Sequence, residues 1–355
     1  MTNTIKTVVV TGATGQDGSY MIEYLLQNTP HKVLAAVRRT SQFIDSNLKE
    51  SLKNPRVKVV NFDLLDPYSI EALVKEEKPD YFINFGAQTF VADSWKAPVL
   101  HMQTNTMGTL YILEAIKNHA PKCRLYSSGS TEQWGNVEYS PQDEKHPLKP
   151  RSPYGVSKAA NQLLTKVYRE SYGLYAIQGI LSNHESPRRQ EYFVTRKITK
   201  GVARINQAIK NNQPFKPIEL GNVDAKRDWS HAKDFMDGVW KMLNQNLPKD
   251  YALSSSETHS VREFVQKAFD AANIPGAWHG KGVNEEYSIA NDILEEHPVK
   301  SSILVKINPE FYRPAEVDLL LGDSSLARKE LGWAPKISFD ELVREMVQYD
   351  IANAK

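Results

Sequence analysis

Tyr154 and Lys158 stand four residues apart in PRSPYGVSKAANQLL. On a helix that spacing places both side chains on one face. An ammonium beside a phenol favours the phenolate, which can then act as a general base toward a hydroxyl. Upstream, in RLYSSGSTEQWG, the hydroxyl of Ser130 is followed two residues later by the carboxylate of Glu132. A carboxylate can take a proton from a carbon next to a carbonyl and deliver one to a departing hydroxyl; a serine cannot. Tyrosine and lysine at this spacing are common by chance, so the pair draws its weight from what precedes it. In VVVTGATGQDGSYMIEYLL, Gly12, Gly15 and Gly18 follow an apolar strand and open an amphipathic helix, with Gln16 and Asp17 between them. Glycines in that context let the backbone approach a pyrophosphate while helix amides face the anion.

The end of the second strand separates the two nicotinamide dinucleotides. An acidic residue there suits the ribose 2′-hydroxyl, whereas arginine suits a 2′-phosphate. AAVRRTSQ supplies Arg38 and Arg39 and no carboxylate, so NADP is expected and NAD disfavoured. In NFDLLD, Asp63 and Leu64 end the third strand, where adenine would lie.

These groups need a scaffold, and the N-terminal half alternates β-branched runs with helical periodicity. Strands are expected in KTVVVTG, KVLAAVR, VKVVNFD, YFINFGA, CRLYSSG and YAIQGILS, with helices between them. That alternation predicts an α/β fold, a doubly wound parallel sheet of the Rossmann type. After Ser186 the rhythm breaks into proline- and arginine-bearing stretches, which suggests a smaller mixed α/β C-terminal substrate domain. The expected boundaries are 1–185 for dinucleotide binding, with a return at 228–255, and 186–227 plus 256–345 for the substrate.

Among 355 residues, 44 Lys and Arg against 42 Asp and Glu leave a charge of +2, which offers no field for nucleic acid or a membrane. No stretch reaches the roughly 18 apolar residues of a spanning helix. The start MTNTIKTVVVTG runs directly into a strand, so a cytoplasmic protein is expected. Cys123 is the single cysteine, and the nine histidines lack HExxH spacing, so no metal centre is expected.

Together the motifs resemble the extended short-chain dehydrogenase/reductase group, and most closely the GDP-mannose 4,6-dehydratase family. Ser130-Thr131-Glu132-Gln133-Trp134-Gly135 is similar to that family's T-S-E-(aliphatic)-(aromatic)-G. GILSNHESPRRQEYFVTRKI, LGNVDAKRDWSHAKD, ETHSVREF and FYRPAEVDLLLGDSSLARKELGW follow in the family's order. The resemblance implies that Tyr154, with Lys158 and Ser130, takes the C4 hydroxyl proton while hydride passes to NADP. Glu132 then removes the C5 proton and helps the C6 hydroxyl leave as water, and C6 receives the hydride. It implies cofactor contacts at Asn183, His184 and Arg189 besides those above, and a GDP-sugar substrate. Substrate contacts fall at Ser94, Val194, Lys197, Leu220, Asn222, Arg227, Arg313 and Glu316. It further implies a homodimer or homotetramer, with RRTSQFIDSNLK reaching a neighbouring subunit. An epimerase or 4-reductase on the same fold, or a non-catalytic NADP sensor, are the alternatives; Glu132 speaks against the first and the Ser130, Tyr154, Lys158 set against the second.

The chain departs from the family at Phe90, Ser182, Gly155, Ser157 and Ala159, and at Gln133 and Trp134. Two explanations compete for these changes: neutral repacking, or a pocket enlarged for a sugar bulkier at C6, so that GDP-mannose and GDP-D-glycero-D-manno-heptose both stay open as the substrate.

Overall fold

The computed structural model describes residues 4–38, 47–290, 302–312 and 319–354, which form two compact units. The first comprises 1–184, 232–256 and 320–336; the second comprises 185–231, 257–319 and 337–355.

In the first unit, β1 (Thr7–Thr11), β2 (Lys32–Val37), β3 (Val57–Asn61), β4 (Tyr81–Asn84), β5 (Arg124–Ser128) and β6 (Tyr175–Leu181) form one sheet with Tyr251–Leu253. The order is Tyr251–Leu253, β6, β5, β4, β1, β2, β3, and every pairing is parallel. Parallel strands covered on both faces read as continuous apolar runs, because successive side chains enter opposite cores. β1 follows this rule: Val8 and Val10 join one buried cluster and Val9 the other. β2 repeats it, with Val33 and Ala35 on one side and Leu34 and Ala36 on the other. All six expected strands form. Tyr251–Leu253 was not among them, since three residues are too few to display a period.

The chain runs outward from β1 to β3 and then crosses back to β4, so β1 and β4 flank the switch point where open α/β sheets bind ligands. Their carboxyl ends are fastened there. The Thr11 hydroxyl donates to Asn84 Oδ1 at 2.6 Å and accepts the Gly86 amide at 2.9 Å.

The helix Pro153–Tyr172 has clear local determinants. Ser152 caps it by accepting the Gly155 amide at 3.0 Å, Pro153 occupies its first turn, and Gly173 ends it at φ +66°. Against it runs Pro98–His119, interrupted by a π-helical segment at Met102–Met107.

The second unit packs helices Val194–Lys210, Val261–Asp270 and Phe339–Ala352 with a four-stranded sheet, Gly276–His279, Glu286–Ile289, Ile303–Ile307 and Ile218–Leu220. Asp350 of the last helix pairs with Arg196 and accepts the Thr199 hydroxyl at 2.7 Å. Among the described residues, no helix is long and apolar enough to cross a membrane.

The chain re-enters the first unit twice, and the second return, 320–336, falls inside the stretch 256–345 that the sequence placed wholly with the substrate half. Its reason is packing. Trp333 is fully buried in the first unit's core, its indole NH donating to Asp234 O at 2.8 Å, and Gln142 bonds Leu321 and Asp323 on either side. Trp333→Ala is therefore expected to destabilise the protein by about 3–5 kcal/mol, read from the urea midpoint.

Candidate active site

The glycine turn after β1 is built by close contacts. Gly12 has φ +62°, and a Cβ there would meet Gly86 N and Phe85 C at 3.0 Å. A Cβ at Gly18 would fall 2.3 Å from Gly12 O. The Gly15 amide donates to Gly12 O at 2.9 Å, and Gly15 caps the helix Gln16–Asn28 without a side chain to engage its first amides. A turn this tight, ending on a helix N-terminus at the switch point, fits the pyrophosphate of a nicotinamide dinucleotide.

Gln16, Asp17 and His184 meet as a cluster. Gln16 Nε2 donates to His184 O at 2.9 Å and to Asp17 Oδ1 at 3.0 Å. The His184 ring joins Asp17 Oδ2 through Nε2 at 2.9 Å and Ser182 O through Nδ1 at 2.8 Å, and stacks on Phe235. These contacts tie the first turn of the glycine helix to the chain leaving β6, with Asn183 half-buried beside them. Leu64 is buried against the space above Gly86 and Gly108. Asp63 turns its carboxylate to the Leu65 amide at 3.0 Å. Arg38 follows β2 and is exposed; Arg39 lies outside the described residues.

Ser130, Glu132, Tyr154 and Lys158 come together where β5 ends. Ser130 caps the short turn Thr131–Gln133, its hydroxyl accepting the Glu132 amide at 3.3 Å. Gly155 lies against that turn, since a Cβ on it would stand 2.6 Å from Glu132 O. One step along the helix is Tyr154, so the absence of a side chain at Gly155 lets the backbone of the turn bearing Glu132 approach the helix bearing Tyr154. The Lys158 ammonium, only 3% exposed, donates to Ser128 O at 2.7 Å and Ser128 Oγ at 3.2 Å and lies 5.7 Å from the Tyr154 ring centre. Burial pushes its pKa down to about 8, against an opposing pull from the Asp17 carboxylate. Ser128 was not among the expected site residues; its signal was its place two residues before Ser130 in the hydroxyl-rich stretch Ser127-Ser128-Gly129-Ser130-Thr131.

Two departures near Tyr154 do not open space. Ser157 donates to Tyr154 O at 2.7 Å and accepts Asn105 Nδ2 at 2.9 Å, and Asn105 also bonds Gln88 N and O. With the Glu132 carbonyl against Gly155, both small residues are engaged by packing within the protein. Ser94 is fully buried, and its hydroxyl donates to Val91 O at 2.6 Å within its own helical turn.

In the second unit, Lys197 holds its ammonium 3.8 Å from the centre of the Phe311 ring, and burial lowers its pKa against the attraction of Glu219. Val194 starts the same helix, partly buried against the core. Leu220 is a core residue at 3% exposure, so its side chain is not presented to a ligand; its carbonyl accepts the Asn308 amide. Asn222 accepts the Asp224 amide at 3.0 Å, and Arg227 is buried with Nη1 on Lys226 O, opposite His259. Arg189 lies 3.2 Å from Glu185 and covers the Phe193 ring at 3.5 Å. Phe311, about half exposed beside Lys197, was missed because nothing in its sequence neighbourhood distinguishes it from a surface aromatic. Arg313 and Glu316 lie outside the described residues.

Two outcomes follow from this geometry. Gly18→Val fills the contact with Gly12 O and is expected to weaken NADPH binding at least about tenfold by titration calorimetry. Because the folded pKa of Lys158 lies below its usual 10.5, its ammonium is lost as pH rises through about 8. The kcat/KM is expected to fall through that range, and the burial cost to stability to be relieved progressively from about pH 8 up to the usual 10.5.

The family model described as GDP-mannose 4,6 dehydratase matches residues 9–346. A GDP-mannose 4,6-dehydratase of Vibrio cholerae is 42% identical over 359 residues, covering 99% of this chain and 95% of that one. The human GDP-mannose 4,6 dehydratase is 39% identical over 351 residues, covering 97% and 91%. Among solved structures, a dTDP-glucose 4,6-dehydratase from Bacillus anthracis in complex with NAD superposes with a TM-score of 0.77 at 21% identity, over 98% of this chain and 97% of the other. RMD from Pseudomonas aeruginosa complexed with NADPH gives 0.74 at 22%, over 98% and 99%. On the family match and these identities across nearly the whole length, the chain belongs to the GDP-mannose 4,6-dehydratase family.

Proposed function

We propose that this protein is a hydro-lyase that converts GDP-mannose to the GDP-4-keto-6-deoxy sugar with NADP as its resident cofactor. The observation that carries the reading is Glu132, held against the Tyr154 helix in a member of this family. Gly12, Gly15 and the first turn of the helix Gln16–Asn28 would hold the cofactor, which when bound would supply reversible hydride transfer. Tyr154 takes the proton of the C4 hydroxyl, and the Lys158 ammonium favours its phenolate. Ser130 orients that hydroxyl. With a ketone at C4 the C5 proton is acidic; Glu132 removes it and hands a proton to the C6 hydroxyl, which leaves as water. Electrons balance within the substrate, so no external reductant is consumed. Lys197 and Arg227 supply cations for the diphosphate.

NADP is preferred because Arg38 follows β2 where a carboxylate would suit NAD. GDP-mannose is preferred over the heptose because Gly155 and Ser157 are consumed by packing. The protein is assigned to the cytoplasm, where its one buried thiol stays reduced. It is assigned a homo-oligomeric state through the paired helices Pro98–His119 and Pro153–Tyr172. Their outer faces expose Val99 at 67%, Met107, Val156, Leu163 and Val167, a larger apolar stripe than isolated surface residues make.

Incubated with GDP-mannose and no added NADPH, the protein is expected to yield a product lighter by one water by mass spectrometry; an unchanged mass would instead make it an epimerase, and stoichiometric oxidation of NADPH in a parallel incubation that contains it would make it a reductase. Glu132→Gln is expected to lower dehydration by roughly 10²-fold or more while the variant still binds NADP. Leu163→Asp with Val167→Asp is expected to give a monomer by light scattering.

A further inference from the structure

Gln133 closes the short turn Thr131–Gln133, and it is completely buried. An amide placed in a core must use its hydrogen-bonding atoms or destabilise the fold. Here each is used. Gln133 Oε1 accepts the Ser130 amide at 3.3 Å, while Nε2 donates to Gln162 Oε1 at 2.7 Å and Gln178 Oε1 at 3.2 Å. Gln178, also completely buried, spends its own Nε2 on the carbonyl of Lys158 at 3.1 Å.

The direction of this chain of amides is forced from both ends. Ser130 N–H can only donate, so it fixes the oxygen of Gln133 toward itself and the NH₂ toward Gln162 and Gln178. Lys158 C=O can only accept, so it fixes Gln178 the opposite way round, with its oxygen toward Gln133. The two constraints agree. The Gln178 amide also lies on Gly129, where a Cβ would come 2.7 Å from Gln178 Cδ, so the residue just before Ser130 has to be small for the amide to reach.

We propose that Gln133 and Gln178 are positioning residues for the reaction: they lock the turn bearing Ser130 and Glu132 in register with the helix bearing Tyr154 and Lys158. This rests on the dehydratase reading of Glu132. The glycine contact at Gly155 sets how near the turn can approach the helix, and the amides set which way it faces. Neither glutamine touches the substrate; each acts through backbone groups of residues that do.

Gln133→Met keeps the shape and removes the polar atoms, leaving Ser130 N–H and two glutamine oxygens without this partner. It is expected to lower kcat for GDP-mannose about tenfold or more with KM within about twofold, the pattern of lost transition-state alignment. Gln133→Glu, which can accept from Ser130 but cannot donate to Gln162 and Gln178, is expected not to restore it. Gln178→Met is expected to show the same split, and the double variant to lose little beyond either single one, since one chain is broken once. Hydrogen exchange at the Ser130 amide, measured by NMR without substrate, is expected to quicken in Gln133→Met, and this readout does not depend on what the enzyme catalyses. Unchanged exchange, or full kcat in folded Gln133→Met, overturns the proposal. A wild-type protein that fails to dehydrate GDP-mannose while the exchange shift persists overturns the functional reading instead, and with it the catalytic purpose given to the bridge.

Discussion

A buried ammonium is the constraint around which the first unit is arranged. Lys158 is almost wholly withdrawn from water, and a charge in that position survives only if the protein replaces its hydration. Ser128 does so with its carbonyl and hydroxyl at the end of β5. That requirement fixes the register of the Pro153–Tyr172 helix against the strand end, and the helix in turn carries Tyr154. The same burial lowers the affinity of Lys158 for its proton, with the Asp17 carboxylate holding it partly in place. The glycine turn and the helix Pro153–Tyr172 thus share an electrostatic link, since Asp17 belongs to the helix the turn opens and Lys158 to the other.

Distances elsewhere in the site are set by missing side chains. Gly12 against Gly86, Gly18 against Gly12 and Gly155 against Glu132 are backbone approaches that any Cβ would obstruct. Such contacts have little give, because backbone atoms rather than flexible side-chain ends stand on the far side. Hydrogen bonds then choose orientation within the spacing: Thr11 binds the carboxyl ends of β1 and β4, and Asn105 joins the helix Pro153–Tyr172 to the segment after β4 through Ser157 and Gln88. The π-helical turn at Met102–Met107 lies where Asn105 makes these bonds, a place where irregular helix often serves a site.

Gly155 and Ser157 show how little residue size alone says about what a position contacts. As letters they are small residues beside Tyr154 and suggest added room for substrate. In the folded chain one admits a carbonyl and the other closes a hydrogen-bonded bridge. Ser94 and Leu220 make the same point in reverse: residues matched to substrate contacts by resemblance have side chains turned inward. The difference lies in direction, which depends on what packs against each element and has no trace in spacing.

The strands of the parallel sheet, the glycine turn and the Tyr154–Lys158 face were legible in the amino-acid sequence, because each follows from local physics: β-branched runs, glycine's freedom at positive φ, and the four-residue periodicity of a helix. The family was legible as well, since its motifs recur in order along the chain. Tertiary structure alone decided that 320–336 returns to the first unit, that Ser128 solvates Lys158, that Phe311 lies under Lys197, and that Gln133 reaches Lys158 through Gln178. Each of these joins residues far apart in the chain or turns a side chain toward a neighbour that only folding supplies. Local sequence carries the conformational preference of a segment, whereas the partner that satisfies a buried charge or amide is chosen by packing.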